Sequence, residues 1–176
     1  RRDQTDVRIM NFPTNEIAAA AALMPRLIFV FSAPAFEGDG LVYGTVARNI
    51  LEHGCVSLSD PSGGVCVPHW GGNQLPGYPL FLAATWALTG GWSYAPLVGQ
   101  SVIYAVAVAA VTHALLQTGA GMRLAMMVSA VLAFSPTLVA WPRMQLTETL
   151  ALAAALWVFS ALLRSLGDRR LRVIEL

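Results

Sequence analysis

Charged residues are scarce in this sequence, and lysine is absent altogether. Only 12% of the 176 residues are charged, against about 25% in a typical soluble domain. All eleven basic residues are arginine, and the net charge is +1. Walker-type phosphate loops, dinucleotide-binding glycine motifs and Ser-His-Asp signatures are also missing. These absences exclude a disordered chain, a nucleic-acid-binding protein with a basic patch, and a soluble enzyme of ordinary composition.

Long apolar segments are abundant, and they predict an all-α membrane protein with four transmembrane helices. About 20 mostly apolar residues are needed to cross the ~30 Å hydrocarbon core of a bilayer. Four segments meet this requirement, at residues 17–36, 93–117, 122–141 and 146–166. A fifth apolar run, at residues 80–88, is too short to cross and predicts a short interfacial helix.

The arginines set the predicted orientation of these spans, because cytoplasmic loops of membrane proteins are enriched in basic residues. With four spans, residues 1–16 and 167–176 face the cytoplasm, and residues 37–92 form a large extracytoplasmic loop. Eight arginines then lie inside and only Arg48 and Arg143 lie outside, whereas five spans would leave four inside and six outside. The sequence therefore predicts a multi-pass protein with both termini in the cytoplasm. The exclusive use of arginine is typical of a GC-rich bacterial genome, and the expected location is a bacterial inner membrane.

Two segments of the extracytoplasmic loop predict surface helices, at residues 39–53 and 77–90. Apolar side chains of the first segment recur at helical spacing on one face, namely Val42, Tyr43, Val46, Ala47 and Ile50. Arg48 and Glu52 lie on the opposite face, at a spacing that allows an ion pair. An amphipathic helix of this kind is suited to lie on the membrane surface.

Cys55 and Cys66 are the only cysteines, and both lie in the glycine- and proline-rich part of the same loop. Two nearby thiols on the outer side of the membrane generally oxidise, and the turn-forming residues between them favour a chain reversal. The sequence therefore predicts a disulfide. The alternative is a zinc site formed by both cysteines with His53 and His69, although the spacing lacks the tight C-x2-C pairing typical of such sites.

Several segments together resemble a known enzyme family. In order, they are EGDGLVYGTVARNILEHG, LPGYPLFLAATWALTGGW, Gln100 and FSPTLVAWPRMQLTETL. They are similar to the N-terminal portion of GT-C-fold membrane glycosyltransferases that use polyprenyl-phosphate sugars, the group of protein O-mannosyltransferases and lipid A aminoarabinose transferases. The resemblance implies a first outer loop with an acidic motif and two juxtamembrane helices. It also implies either a fragment of a longer enzyme or a shortened relative, since such enzymes have many more spans.

The resemblance assigns the role of general base to Asp39, which would take the proton of the acceptor hydroxyl. The structural alternative is that Asp39 only caps the following helix. Adjacent Asp-Glu is frequent in the family, whereas here Gly40 follows Asp39 and the second acid, Glu37, precedes it. Glu37 is a second catalytic candidate, with a simple solvated carboxylate as its alternative.

Other candidate site residues lie near the outer ends of predicted helices. Glu148 is a catalytic candidate because acids within spans are costly, although a helix N-terminus also favours negative charge. Arg143 is predicted to neutralise the leaving lipid phosphate, or else to bind lipid headgroups. Tyr43 and Tyr78 are predicted to line the substrate site, although aromatic residues at a bilayer interface need no functional reason. Arg26 lies in mid-span and is expected to pair inside the bundle.

The predicted activity is transfer of a sugar from a polyprenyl-phosphate donor to an acceptor hydroxyl on the extracytoplasmic face, with inversion. Its partners would be the lipid-linked donor and membrane lipid, with no nucleic acid. No cofactor is predicted, and the sequence leaves a divalent metal open. The alternative function is a non-catalytic scaffold subunit of a larger membrane complex derived from the same fold.

Overall fold

The computed structural model of the protein describes residues 11–32, 39–59, 66, 76–141 and 147–174. Within these ranges the chain is helical, with turns and bends but no strand. The helices, in chain order, are α1 (Asn11–Ser32), α2 (Asp39–His53), α3 (Gly77–Thr89), α4 (Ala95–Gln117), α5 (Met122–Phe134), α6 (Pro136–Ala140) and α7 (Glu148–Ile174).

Three of these helices are long and apolar enough to cross a membrane. The qualifying segments are Thr14–Ser32 in α1, Ala95–Gln117 in α4 and Glu148–Gly167 in α7. At about 1.5 Å per residue, each is comparable in length to the ~30 Å hydrocarbon core. The protein is therefore an all-α, multi-pass membrane protein, as its composition predicts.

The predicted span at 122–141 is two helices rather than one. α5 ends at Phe134 after 13 residues, Ser135 adopts an extended conformation (ψ 122°), and α6 begins at Pro136. Proline has no backbone N–H and disfavours helical geometry in the residue before it, which explains the break. α5 alone is about 20 Å long, shorter than the hydrocarbon core.

Arg26 of α1 compensates for the carbonyl groups that this break leaves without helical donors. Its guanidinium is fully buried and donates to the carbonyl oxygens of Leu132 (3.2 Å), Ala133 (3.4 Å) and Ala22 (2.6 Å). The Tyr104 hydroxyl also donates to Leu132 O (3.1 Å), and the guanidinium carbon lies 3.7 Å from the Tyr104 ring centroid. Arg26 therefore faces the bundle interior, where its partners are backbone carbonyls and an aromatic face.

α4 is the central helix of the bundle and contacts α1, α3, α5 and α7. The main apolar cluster forms around it, with Ala22, Tyr104, Ala105, Ala107, Val108, Val111, Ala133, Ala153 and Leu156 as its buried members. Five of these nine residues are alanine, and small side chains let membrane helices approach closely. This packing fixes the relative positions of α1, α4 and α7, whose ends carry the candidate site.

α2 and α3 pack on each other through a second cluster, formed by Tyr43, Ala47, Tyr78, Leu82 and Ala83. α3 ends where Gly90 takes a left-handed conformation (φ 66°) and its N–H bonds to the Trp86 carbonyl, as is common at helix ends. The next helix, α4, begins at Ala95, and Pro96 lies in its first turn, where proline is favoured. The short connection holds α3 against the start of α4.

The disulfide predicted between Cys55 and Cys66 is confirmed, with a Cα–Cα distance of 5.8 Å. Cys55 follows α2 directly and is buried. Asn49 stabilises the chain beyond it, because its side-chain amide donates to the carbonyl oxygens of Ser57 (2.8 Å) and Ser59 (3.1 Å). The bond consumes the two thiols that the alternative zinc site would need, and His69 lies outside the described residues.

Candidate functional site

Asp39 is the first residue of α2, and its side chain is exposed to solvent. Tyr43 follows one helical turn later and is buried, so its ring lies beneath the start of the helix. Residues four apart on a helix are neighbours, and the Asp39 carboxylate acts electrostatically on the Tyr43 phenol. The start of α2 therefore presents an accessible carboxylate beside a buried phenol.

Tyr43 and Tyr78 form an aromatic pair between α2 and α3. Their ring centroids are 5.2 Å apart at an interplanar angle of 70°, an edge-to-face contact. This geometry is favoured by the quadrupoles of the two rings. Tyr78 also stacks with Phe81, one turn further along α3, at a centroid distance of 5.9 Å. Two tyrosines separated by a long stretch of loop sequence are therefore brought into one packed unit.

The Tyr78 hydroxyl connects this pair to the central helix. It donates a hydrogen bond of 3.0 Å to Gln100 Oε1 of α4, and both side chains are buried. Gln100 is one of the residues on which the family resemblance depends, but sequence reasoning gave it no role. The structure shows that it orients the Tyr78 phenol.

Glu148, the first residue of α7, completes the arrangement. Its side chain is exposed, yet its carboxylate acts electrostatically on both Tyr43 and Tyr78. The neighbouring Thr147 side chain hydrogen-bonds to the Tyr43 hydroxyl, and Leu150 packs against the tyrosine cluster. Asp39 and Glu148, which are distant in sequence, therefore both raise the pKa of Tyr43.

Burial keeps both phenols protonated. It raises the pKa of Tyr43 above its usual value of 10.0, and the Asp39 and Glu148 carboxylates raise it further, against a lowering by the Thr147 hydrogen bond. Burial is also the main cause of the raised pKa of Tyr78, followed by the Glu148 carboxylate and the Tyr43 phenol. Both hydroxyls are therefore neutral hydrogen-bond donors at physiological pH.

Two predicted site residues, Glu37 and Arg143, lie outside the described residues. The ion pair allowed by the spacing of Arg48 and Glu52 is not formed, and Glu52 Oε2 instead lies 3.9 Å from His53 Nε2. Arginine placed N-terminal to glutamate is the weaker orientation of such a pair. Since both side chains are also exposed, water replaces the interaction at little cost.

In the part of the chain that the structure describes, no three His, Cys, Asp or Glu side chains are grouped so that they could hold a metal ion. The site consists instead of two accessible carboxylates, two protonated phenols and a buried amide. Such groups can accept a proton, donate hydrogen bonds to an anionic oxygen and bind the hydroxyl groups of a sugar.

No protein-family model matches the chain, and searches of curated proteins and of solved structures find no significant match.

Proposed function

We propose that the protein is a membrane glycosyltransferase, either part of a longer enzyme or a shortened relative. It would transfer a sugar from a polyprenyl-phosphate donor to an acceptor hydroxyl on the extracytoplasmic face. The observation that carries this proposal is the packing of the tyrosine pair, which lies one turn after Asp39 on α2, against Leu150 at the start of α7, the helix that begins with Glu148. Paired carboxylates beside fixed hydrogen-bond donors suit proton removal and sugar binding. The order of the motifs resembling the GT-C group supports the same assignment.

The position of the site at one end of the bundle supports a lipid-linked substrate. The end of α1 lies beside the start of α4, since the rings of Phe31 and Tyr94 are 5.5 Å apart. Leu150, near the start of α7, packs on the α2–α3 cluster at the same end. A donor anchored in the bilayer by its polyprenyl chain presents its phosphate at this level, within reach of groups just outside the hydrocarbon core.

In the proposed reaction, Asp39 removes the proton of the acceptor hydroxyl as its oxygen attacks the anomeric carbon. The bond from that carbon to the phosphate oxygen breaks, and the electron pair leaves with the phosphate. A single displacement of this kind inverts the anomeric centre. Tyr43 donates a hydrogen bond to the substrate, Tyr78 positions Tyr43, and Glu148 accepts hydrogen bonds from sugar hydroxyls. From the sequence, we further assign Arg143 to neutralise the charge of the leaving phosphate and Glu37 to act as a second catalytic acid.

The substitution Asp39→Asn tests the base directly. Asparagine keeps the size and the hydrogen-bonding groups of aspartate, so this variant removes the negative charge and the basicity of the side chain and little else. We expect turnover of a radiolabelled polyprenyl-phosphate hexose, followed as released polyprenyl phosphate, to fall by about 100-fold or more. The matched control is Glu52→Gln, an exposed acid at the other end of α2, which should retain full turnover. Near-normal turnover by Asp39→Asn would exclude Asp39 as the base.

The proposed topology has four crossings, with α5 and α6 together forming the broken third span and both termini in the cytoplasm of a bacterial inner membrane. In this arrangement Arg26 supplies the hydrogen bonds that the broken helix needs within the bilayer, where water is absent.

A scaffold subunit is the second candidate, and the exposure of α7 favours it. Only 17% of its span is buried, and large apolar side chains such as Trp157, Val158 and Phe159 are exposed. This surface suits either lipid or the helices of a larger complex. Co-purification of a stoichiometric membrane partner, together with unchanged partner binding in Asp39→Asn, would favour the scaffold over the enzyme.

A further inference from the structure

A cavity of about 300 Å³ lies between α2, the second half of α3 and the chain leading into α4. Its described wall combines the apolar side chains of Leu41 and Trp86 with Gly40, Gly44 and the polar residues Thr45, Arg48 and Ser93. Neither Tyr43 nor Tyr78 lines it in the described part of the chain, so it is distinct from the tyrosine pair. Its volume is at the lower end of the roughly 300–1,000 Å³ typical of ligand pockets.

Arg48 gives this cavity a positive charge that no described residue neutralises. The guanidinium makes no ion pair or hydrogen bond within the described ranges, and the nearest candidate on its own helix, Glu52, lies beside His53. No carboxylate belongs to the described wall of the cavity. Because arginine stays protonated and presents a planar fork of N–H donors, it is suited to bidentate binding of phosphate.

Ser93 and Trp86 add hydrogen-bond donors without adding negative charge. The Ser93 side chain is exposed and its hydroxyl has no partner among the described residues. The Trp86 indole N–H is buried and also lacks an acceptor there, although a buried donor normally has one. The Thr45 hydroxyl is already donated to the Leu41 carbonyl (2.9 Å). The free groups of the cavity are therefore donors and a cation, which select an anion.

Aromatic side chains next to the cavity mark the membrane boundary. Trp92 and Tyr94 flank Ser93 in sequence, and their ring centroids are 6.2 Å apart. Tyr94 also contacts Phe31 at the end of α1, and both Phe31 and Trp92 are about half exposed. Tryptophan and tyrosine are enriched at the level of the lipid headgroups. These aromatic side chains favour a position of the cavity mouth at the level of the phospholipid phosphates.

We propose that this cavity binds the phosphate headgroup of an anionic membrane phospholipid, with Arg48 as its principal ligand and Ser93 as a second donor. Leu41, which lines the same cavity and is 58% exposed, provides the apolar surface along which the acyl chains return to the bilayer. The bound lipid would fill the space between α2 and α3, behind the helix face that carries the tyrosine pair.

The test measures lipid retention by the purified protein in a non-ionic detergent, with native mass spectrometry to count bound molecules. Dioleoylphosphatidylglycerol is titrated against dioleoylphosphatidylcholine and against inorganic phosphate. We expect one phosphatidylglycerol molecule to be retained in preference to phosphatidylcholine. Arg48→Gln should weaken this retention by about tenfold, the usual scale for loss of a charge-assisted hydrogen bond.

Two further variants test whether lipid retention depends on the open cavity and on the arginine at that site in particular. Thr45→Trp keeps Arg48 but fills the cavity from an exposed position, and it should weaken retention as strongly as Arg48→Gln. Arg123→Gln, a change at an exposed arginine on α5, should leave retention unchanged. Circular dichroism and protection of the cysteines from alkylation show that each variant is folded.

Three results would overturn the proposal. One is equal loss of retention in Arg123→Gln and Arg48→Gln, which would mean nonspecific attraction. Another is displacement of the lipid by millimolar inorganic phosphate, which would identify a free-anion site. The third is preferential retention of undecaprenyl phosphate by the same residues, which would assign the cavity to the donor substrate. Each outcome is independent of whether Asp39→Asn retains turnover.

Discussion

Tyr78 is the side chain through which three helices meet. Its ring packs edge-to-face with Tyr43 of α2, and its hydroxyl donates to Gln100 of α4. Because burial raises its pKa, the hydroxyl keeps its proton, and with it this hydrogen bond, throughout the physiological pH range. Tyr78 therefore fixes the position of the Tyr43 ring relative to α4.

The substitution Tyr78→Phe should destabilise the protein by about 1–2 kcal/mol, because it removes the hydrogen bond to Gln100 but keeps the ring. Thermal unfolding in detergent measures this loss. Tyr94→Phe is the matched control, since Tyr94 is only partly buried and makes aromatic contacts that phenylalanine retains. An unchanged unfolding temperature in Tyr78→Phe would show that the hydrogen bond contributes nothing to stability.

The raised pKa of Tyr78 also predicts a dependence of stability on alkaline pH. The folded state favours the protonated phenol, so this contribution is fully present below the usual pKa of 10.0 and is lost as the pH rises above it. We expect the wild-type unfolding temperature to fall above pH 10, and to fall less steeply in Tyr78→Phe. Parallel curves for the two proteins would contradict the assignment of this alkaline sensitivity to Tyr78.

At the scale of elements, the break between α5 and α6 depends on a residue of another helix. Pro136 removes the N–H that would bond to the Leu132 carbonyl in a continuous helix. Arg26 and Tyr104 both donate to that carbonyl instead. The sequence alone indicates only that burying the charge of Arg26 in a membrane span is energetically costly. The structure shows that Arg26 bonds the carbonyl that Pro136, more than a hundred residues later, leaves without a helical donor.

This dependence predicts an energetic coupling between Arg26 and Pro136. Arg26→Met should destabilise the protein by about 2–4 kcal/mol, because it leaves buried carbonyls without donors. Pro136→Ala restores a backbone N–H for the Leu132 carbonyl, so the cost of Arg26→Met should be smaller in that background by about 1 kcal/mol or more. A double-mutant cycle of unfolding free energies measures the coupling, and strict additivity would refute it.

At the scale of the whole molecule, α4 organises the bundle. Its span is 61% buried, compared with 28% for that of α1 and 17% for that of α7. Gly167 of α7 lies against Thr118, the residue after the end of α4, so closely that a Cβ atom at Gly167 would be 3.4 Å from Thr118 Cγ2. Leu150, near the start of α7, packs on the tyrosine cluster that Gln100 near the start of α4 supports. α7 therefore runs parallel to α4 over their shared length, with the start of α7 beside the start of α4.

The proposed orientation predicts which residues an impermeant maleimide labels in intact cells. In a background with Cys55→Ser and Cys66→Ser, Glu52→Cys should be labelled from outside, whereas Ser165→Cys should be labelled only after the membrane is permeabilised. Both side chains are exposed in the protein, so unequal labelling reports the side of the membrane. Labelling of Ser165→Cys in intact cells would overturn the four-span topology.

Local patterns in the sequence predicted some features well and others not at all. The bounds of α2 follow from its apolar periodicity, and the disulfide follows from turn-forming residues between two cysteines. The break at Ser135 was missed because hydropathy ignores backbone donors, although Pro136 was the available signal. The Tyr78–Gln100 bond had no signal, since it depends on the packing of α3 against α4. For the same reason, no pattern indicated that Asp39 and Glu148 share a tyrosine.

The order of the helices along the chain has a consequence for biosynthesis. Chains are made from the N-terminus onward, so α2, α3 and α4 exist before α7 has left the ribosome. The contacts among Tyr43, Tyr78 and Gln100 need only those earlier helices, whereas Glu148 comes with the last one. A nascent chain can therefore form the Tyr43–Tyr78–Gln100 contacts before Glu148 is present, and docking of α7 onto α4 brings Glu148 to them.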